Sequence, residues 1–76
     1  MLRFATSTPG PLSVDIYDIA GRQVRSLAND GQSAAGTHQF PIDGRDGSGR
    51  NLAAGMYLYR IRAVEGVSVG HFVIVR

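Results

Sequence analysis

Ten glycines and three prolines interrupt this chain of 76 residues at short intervals, and that punctuation constrains its fold more than any other feature. Between the breaks lie short runs in which apolar and polar residues alternate with period two, the pattern of half-buried strands. No segment sustains the i, i+3, i+4, i+7 apolar stripe of a helix. The expectation is an all-β chain with essentially no helix. Its length allows one domain spanning residues 1–76, because two cores in so short a chain would each bury too little apolar surface. The absence of cysteine removes both a disulfide staple and a thiolate metal site as sources of extra stability, and it excludes a thiol nucleophile.

The strands can be placed by their alternation. Residues 2–5 form a first run, closed by the loop Thr6, Ser7, Thr8, Pro9, Gly10 and Pro11, where proline fixes φ and glycine allows φ above zero. In the second run Leu12, Val14 and Ile16 share one face, while Ser13, Asp15 and Tyr17 share the other. Asp18 and Gly21 then read as a hairpin turn, the carboxylate accepting backbone N–H groups and the glycine turning the chain. The returning strand, residues 23–27, has Val24 as its inward residue. Residues 28–35 are small and polar and read as a loop, and His38, Phe40 and Ile42 share a face of the next strand, which Pro41 confines to a sheet edge. Asp43, Gly44, Asp46 and Gly49 make a second turn region.

The longest strand follows. Tyr57, Tyr59, Ile61 and Ala63 form its inner face, and Met56, Leu58, Arg60 and Arg62 its outer one. Leu52, Gly55 and Tyr57 have the Leu-x-x-Gly-x-Tyr spacing of a tyrosine corner, in which the hydroxyl bonds back to the backbone a few residues upstream as the chain crosses between sheets. Glu65 and Gly66 read as a two-residue turn into a last strand, residues 67–76. There Phe72, Val73, Ile74 and Val75 are apolar at consecutive positions, so both faces call for cover. The count is about seven strands with a turn roughly every 8–12 residues, the pattern of a two-sheet antiparallel sandwich; a five-stranded barrel is the alternative.

The surface chemistry excludes several function classes. The net charge is +2 and all eight basic residues are arginines, yet they are scattered and interrupted by acids, so nucleic-acid binding is not expected. No apolar run is long enough for a membrane span, and the first residues lack the apolar core of a signal peptide. Asp43, Asp46 and Ser48 supply oxygen atoms, but the bidentate acid of a helix-loop-helix calcium site would fall on Ala54. His38 and His71 would need Asp15 or Asp18 to complete a metal site. Nothing resembles a nucleophile elbow. Neither catalytic nor metal-ligating residues are assigned, and no cofactor is expected. Two surfaces remain as candidates for protein contact: the strand formed by Phe72, Val73, Ile74, Val75 and Arg76, and the face formed by Met56, Leu58, Arg60 and Arg62. Contact by face packing or by strand addition would suit them.

Taken together, Val14-x-Ile16-Tyr17-Asp18-x-x-Gly21-Arg22-x-Val24-Arg25-x-Leu27, Ala35-Gly36-x-His38, Asp43-Gly44-Arg45-Asp46-x-x-Gly49-Arg50 and Gly55-x-Tyr57-x-Tyr59-Arg60 give a set of spaced motifs over nearly the whole chain. In these the chain resembles the FlgD-like immunoglobulin-like domain of flagellar hook-capping proteins, found also as the last domain of large exported bacterial proteins, and type IX secretion C-terminal sorting domains look similar. The resemblance implies an immunoglobulin-like, fibronectin III-like sandwich. It implies a non-catalytic accessory domain at the C-terminus of a larger secreted or cell-surface bacterial protein, acting as a sorting signal or structural module, with a hook-assembly role as the alternative. The implied partners are proteins: a parent domain, secretion machinery or like subunits. The Asn-Pro-rich lead-in common in this group is missing, Ile42 replaces an aromatic, and His71 and Arg76 stand where a lysine is common near the sorting-domain terminus.

Overall fold

A computed structural model describes residues 2–40, 42 and 44–75. Among them there is no helix, and six strands follow one another: β1 (Leu2–Thr6), β2 (Gly10–Asp18), β3 (Gln23–Ser33), β4 (Gly36–Phe40), β5 (Gly55–Ala63) and β6 (Gly66–Ile74). All pairings are antiparallel. β1 pairs with β4 in a two-stranded sheet, and the other four form a sheet in the order β3-β2-β5-β6. The two layers make an immunoglobulin-like sandwich with six strands instead of about seven. The count falls because the chain from Gly55 to Ala63 is a single strand, and residues 44–51 contribute only the isolated bridge between Arg45 and Asn51.

Alternation along β2 explains the core. Leu12, Val14 and Ile16 point between the layers and are buried, Val14 and Ile16 almost completely (0% and 1% exposed). Val14 and Ile16 are each flanked on both sides by a paired strand, Val14 opposite Ala28 and Ile61 and Ile16 opposite Arg25 and Tyr59. Leu2 closes the core from the two-stranded layer, with Phe4 and Phe40 packed beside it. The Phe4 ring stacks on Phe40 at 5.8 Å and on His38 at 5.3 Å between centroids. Burying a Val, Leu or Ile side chain stabilises a fold by about 1.5–3 kcal/mol, so this small set dominates the hydrophobic contribution.

Four local expectations need correction. The loop expected from Thr6 to Pro11 shrinks to residues 7–9, because Thr6 pairs with Gly36 and Gly10 with Ser33. Residues 28–33 are not loop but the second half of β3, because backbone pairing with β2 carries the ladder from Ala28 to Ser33 whatever the side chains prefer. Val24 is not the inward residue of that strand. Tyr17 faces Gln23 and Ile16 faces Arg25, so Val24 is the extra residue of a bulge, as is Leu27 one step further on, and Leu27 packs against the core. The β5–β6 turn is made by Val64 and Glu65, while Gly66 already pairs with Ala63. Pro41, expected at a strand end, lies outside the described residues.

Glycine spacing also lets one ring lie flat. Gly70 pairs with Tyr59, whose ring covers the bare backbone so closely that a Cβ at Gly70 would collide with it. Because the interior rests on so few side chains, Ile16→Ala should lower unfolding free energy by about 2–5 kcal/mol. Val69→Ala, at an exposed position, should stay within about 0.5 kcal/mol of the parent. Urea unfolding of both variants in dilute solution measures the difference, and equal losses would contradict the burial described here.

Candidate functional site

The residues singled out for turns, corner and contact surfaces fall into two regions. At one end of the domain, Asp18 closes the β2–β3 hairpin. Its Oδ1 accepts the backbone N–H groups of Ala20 (3.0 Å) and Arg22 (2.9 Å), its carbonyl accepts from Gly21 N–H (3.0 Å), and its own N–H donates to the Arg22 carbonyl (2.9 Å). Gly21 sits at φ +88°, in the left-handed region that glycine enters without steric cost.

Asp46 repeats that geometry. Its Oδ1 accepts from Ser48 N–H (2.8 Å) and Arg50 N–H (3.0 Å), Gly49 N–H donates to its carbonyl (3.1 Å), and its N–H donates to the Arg50 carbonyl (2.8 Å). Gly49 has φ +85°. The two turns are the same device, Asp-x-x-Gly-Arg, used twice at residues 18–22 and 46–50. The repeated five-residue spelling is the sequence signal of that equivalence. Gly47 N–H binds the Val24 carbonyl at 3.0 Å and so seats the second turn on the bulge of β3. The turns flank an open cleft of about 380 Å³ lined by Val24, Gly47 and Leu52 among others. Asp43 lies outside the described residues, and Gly44 accepts the Leu52 N–H at its carbonyl (2.7 Å).

Backbone N–H groups turned onto the Asp18 carboxylate, Arg22's first, together with the Arg22 guanidinium at 3.0 Å, hold its pKa below the ordinary value of 3.8. Glu65 is likewise lowered from 4.5, chiefly because the Ser7 hydroxyl (2.5 Å) and the Ser7 N–H donate to it. This clamp, which joins the β1–β2 loop to the β5–β6 turn, has no counterpart in the sequence reading, since its partners lie far apart in the chain. Both carboxylates are committed to backbone support.

The corner lies next to the second turn. Tyr57 is 7% exposed, its hydroxyl donates to the Ala53 carbonyl at 2.7 Å, and its ring stacks on Phe72 at 5.9 Å. Leu52 is half-buried and Gly55 opens β5 opposite Ile74.

The second region is the outer face of the larger sheet. Met56, Leu58, Arg60 and Arg62 lie there beside Val73, His71, Val69 and Val67 of β6. Arg60 is half-buried, its guanidinium over the Tyr17 ring (5.0 Å) and bonded to the Tyr17 hydroxyl (2.6 Å). Along β6 the face is apolar and open, with Val67, Val69 and Val73 each about 60% exposed and Met56 50% exposed. Phe72 and Ile74 turn the other way and are half-buried, whereas Val75 is 86% exposed just past the strand. Arg76 lies outside the described residues. His38 and His71 are not brought together: His38 sits in the smaller sheet, within hydrogen-bond reach of Thr6 Oγ1 (3.3 Å) and the Ala34 carbonyl (3.1 Å), and His71 is exposed on β6. Among the described residues, no three His, Asp or Glu side chains cluster as a metal site would require. Open clefts of about 360 and 380 Å³ lie at the rims, between turns and strand ends.

Such an arrangement, a sandwich with self-bonded turns and one open apolar sheet face, is that of a small immunoglobulin-like module. Residues 4–66 match the family model of the FlgD Ig-like domain, and the chain belongs to that family. No curated protein and no solved structure matches the chain.

Two outcomes follow from this geometry. Tyr57→Phe, which removes only the hydroxyl, should cost about 1 kcal/mol and lower the melting temperature by about 4–8 °C. An unchanged melting curve would mean that the corner bond carries no weight. Because the folded Asp18 pKa lies below 3.8, its stabilising effect is complete above that value and is lost as pH falls through the depressed one. The stability gap between the parent and Asp18→Asn should therefore narrow on acidification below pH 3.8, as read from urea midpoints across a pH series.

Proposed function

We propose that this chain is a non-catalytic accessory module of an exported or cell-surface bacterial protein, working through protein contact as a structural or sorting element. The observation that carries the reading is the contrast between its two regions. The turn carboxylates, Asp18 and Asp46, and Glu65 of the clamp are spent on the domain's own backbone, while the row of Met56, Val67, Val69 and Val73 stays open to solvent. An exposed apolar row on a sheet is a contact surface by its chemistry. The family match supports a module of this kind, since domains of this family are typically non-catalytic and occur in exported flagellar proteins. A hook-assembly role is the second reading, favoured by the same match.

The sorting version places recognition on the terminal strand. Deleting that strand would be uninformative, because Phe72 stacks on Tyr57 and its loss would disturb the core. Val73→Lys and Val75→Lys change only exposed side chains. If sorting is the role, a cargo fused to the chain should accumulate inside the cell when both substitutions are present, and undiminished export would end that version. A parent protein that carries an enzyme and no flagellar genes beside its own gene would count against the hook-assembly reading.

A further inference from the structure

Sheet edges are usually blunted by charge, proline, bulges or short length, because an unpaired row of N–H and C=O groups invites another strand. Three of the four edges here follow that rule. β3 carries three register shifts and the polar stretch from Asn29 to Ser33, and β1 and β4 are only five residues long. β6 does not. It runs nine residues in unbroken register with β5, and Gly-Val-Ser-Val-Gly-His-Phe-Val-Ile contains no acid, lysine, arginine or proline.

We infer that the free edge of β6 pairs with β6 of a second copy of this chain, antiparallel and with Gly70 on the two-fold axis, so that two four-stranded sheets join into one of eight. A two-fold contact demands that the strand complement itself, and the sequence of β6 does so about Gly70 on both faces. On the inner face, Phe72 comes opposite the partner's Ser68, and Ile74 opposite the partner's Gly66. Each large side chain meets a small one. At the axis the two glycines meet, each already roofed by Tyr59 of its own chain. On the outer face Val67 comes opposite the partner's Val73 and Val69 opposite the partner's His71. The exposed valines thus gain cross-strand neighbours on the side where β6 now has none. No like charges oppose one another between residues 66 and 74. A neighbouring register would set Phe72 against Val67 or Val69, across faces, and lose the large-to-small match. One strand pair with its valines is a small contact beside a standard protein interface, so the dimer is expected to be reversible and concentration-dependent. The inference goes beyond the accessory-module reading and does not depend on which version of it holds.

Sedimentation equilibrium of the 76-residue chain over a wide concentration range should show a monomer–dimer equilibrium. Val69→Lys charges the middle of the edge at an exposed position, and should weaken association at least tenfold while leaving the circular dichroism spectrum unchanged. Because the chain has no cysteine, the register can be read directly. Opposed Cα atoms in an antiparallel pair are about 4.5–5.5 Å apart, within disulfide range. A mixture of Val69→Cys and His71→Cys chains should therefore oxidise to a mixed dimer much faster than either chain alone. A monomer at every concentration would overturn the proposal. So would a well-folded Val69→Lys that still dimerises, or single-cysteine chains that cross-link as fast as the mixture, which would indicate face-to-face packing instead. If Val69→Lys fails to fold, the cysteine mixture decides alone.

Discussion

β2 is the strand on which the rest of the domain depends. Like β5 it lies between two partners in the larger sheet, and its three alternate inward side chains, Leu12, Val14 and Ile16, are all buried. Val14 is buried with Leu2 of β1 and Ile61 of β5 in one cluster, and Ile16 lies between β3 and β5 beside Leu27, Ile42 and Leu52. In a chain this short, with no disulfide, that mutual dependence makes folding cooperative: no pair of strands buries enough apolar surface to persist by itself.

Around that core the turns are stabilised from within. Asp18 and Asp46 each gather two backbone N–H groups, and Glu65 reaches across to Ser7, so the loop ends are tied to the chain's own carboxylates. A carboxylate already bonded to backbone N–H groups is poorly disposed to hold a metal or to move a proton, because those bonds stabilise the ion where it is. The domain's open apolar face and its plain nine-residue edge on β6 are continuous, the valines of one belonging to the strand of the other.

Much of this could be read in residue order. Leu12, Val14 and Ile16 alternate in a way only a half-buried strand explains, and Asp18 with Gly21 spells a turn whose bonds are all local. The spacing from Leu52 to Tyr57 names a hydroxyl and its backbone acceptor four residues apart. Reading failed where pairing with a distant strand overrode side-chain preference. Residues 28–33 look like loop until β2 lies beside them, and Val24 looks inward until two bulges shift the register.

The sequence alone determined the alternating faces of β2 and β5, and the interactions closed within a few residues, both Asp-x-x-Gly-Arg turns and the corner, since their partners sit where covalent geometry already puts them. The tertiary structure decided which strands are neighbours, where β3 bulges, how Ser7 finds Glu65 and which edge is left bare. Those outcomes depend on the simultaneous packing of six strands around Val14 and Ile16, and no stretch of chain carries that information by itself.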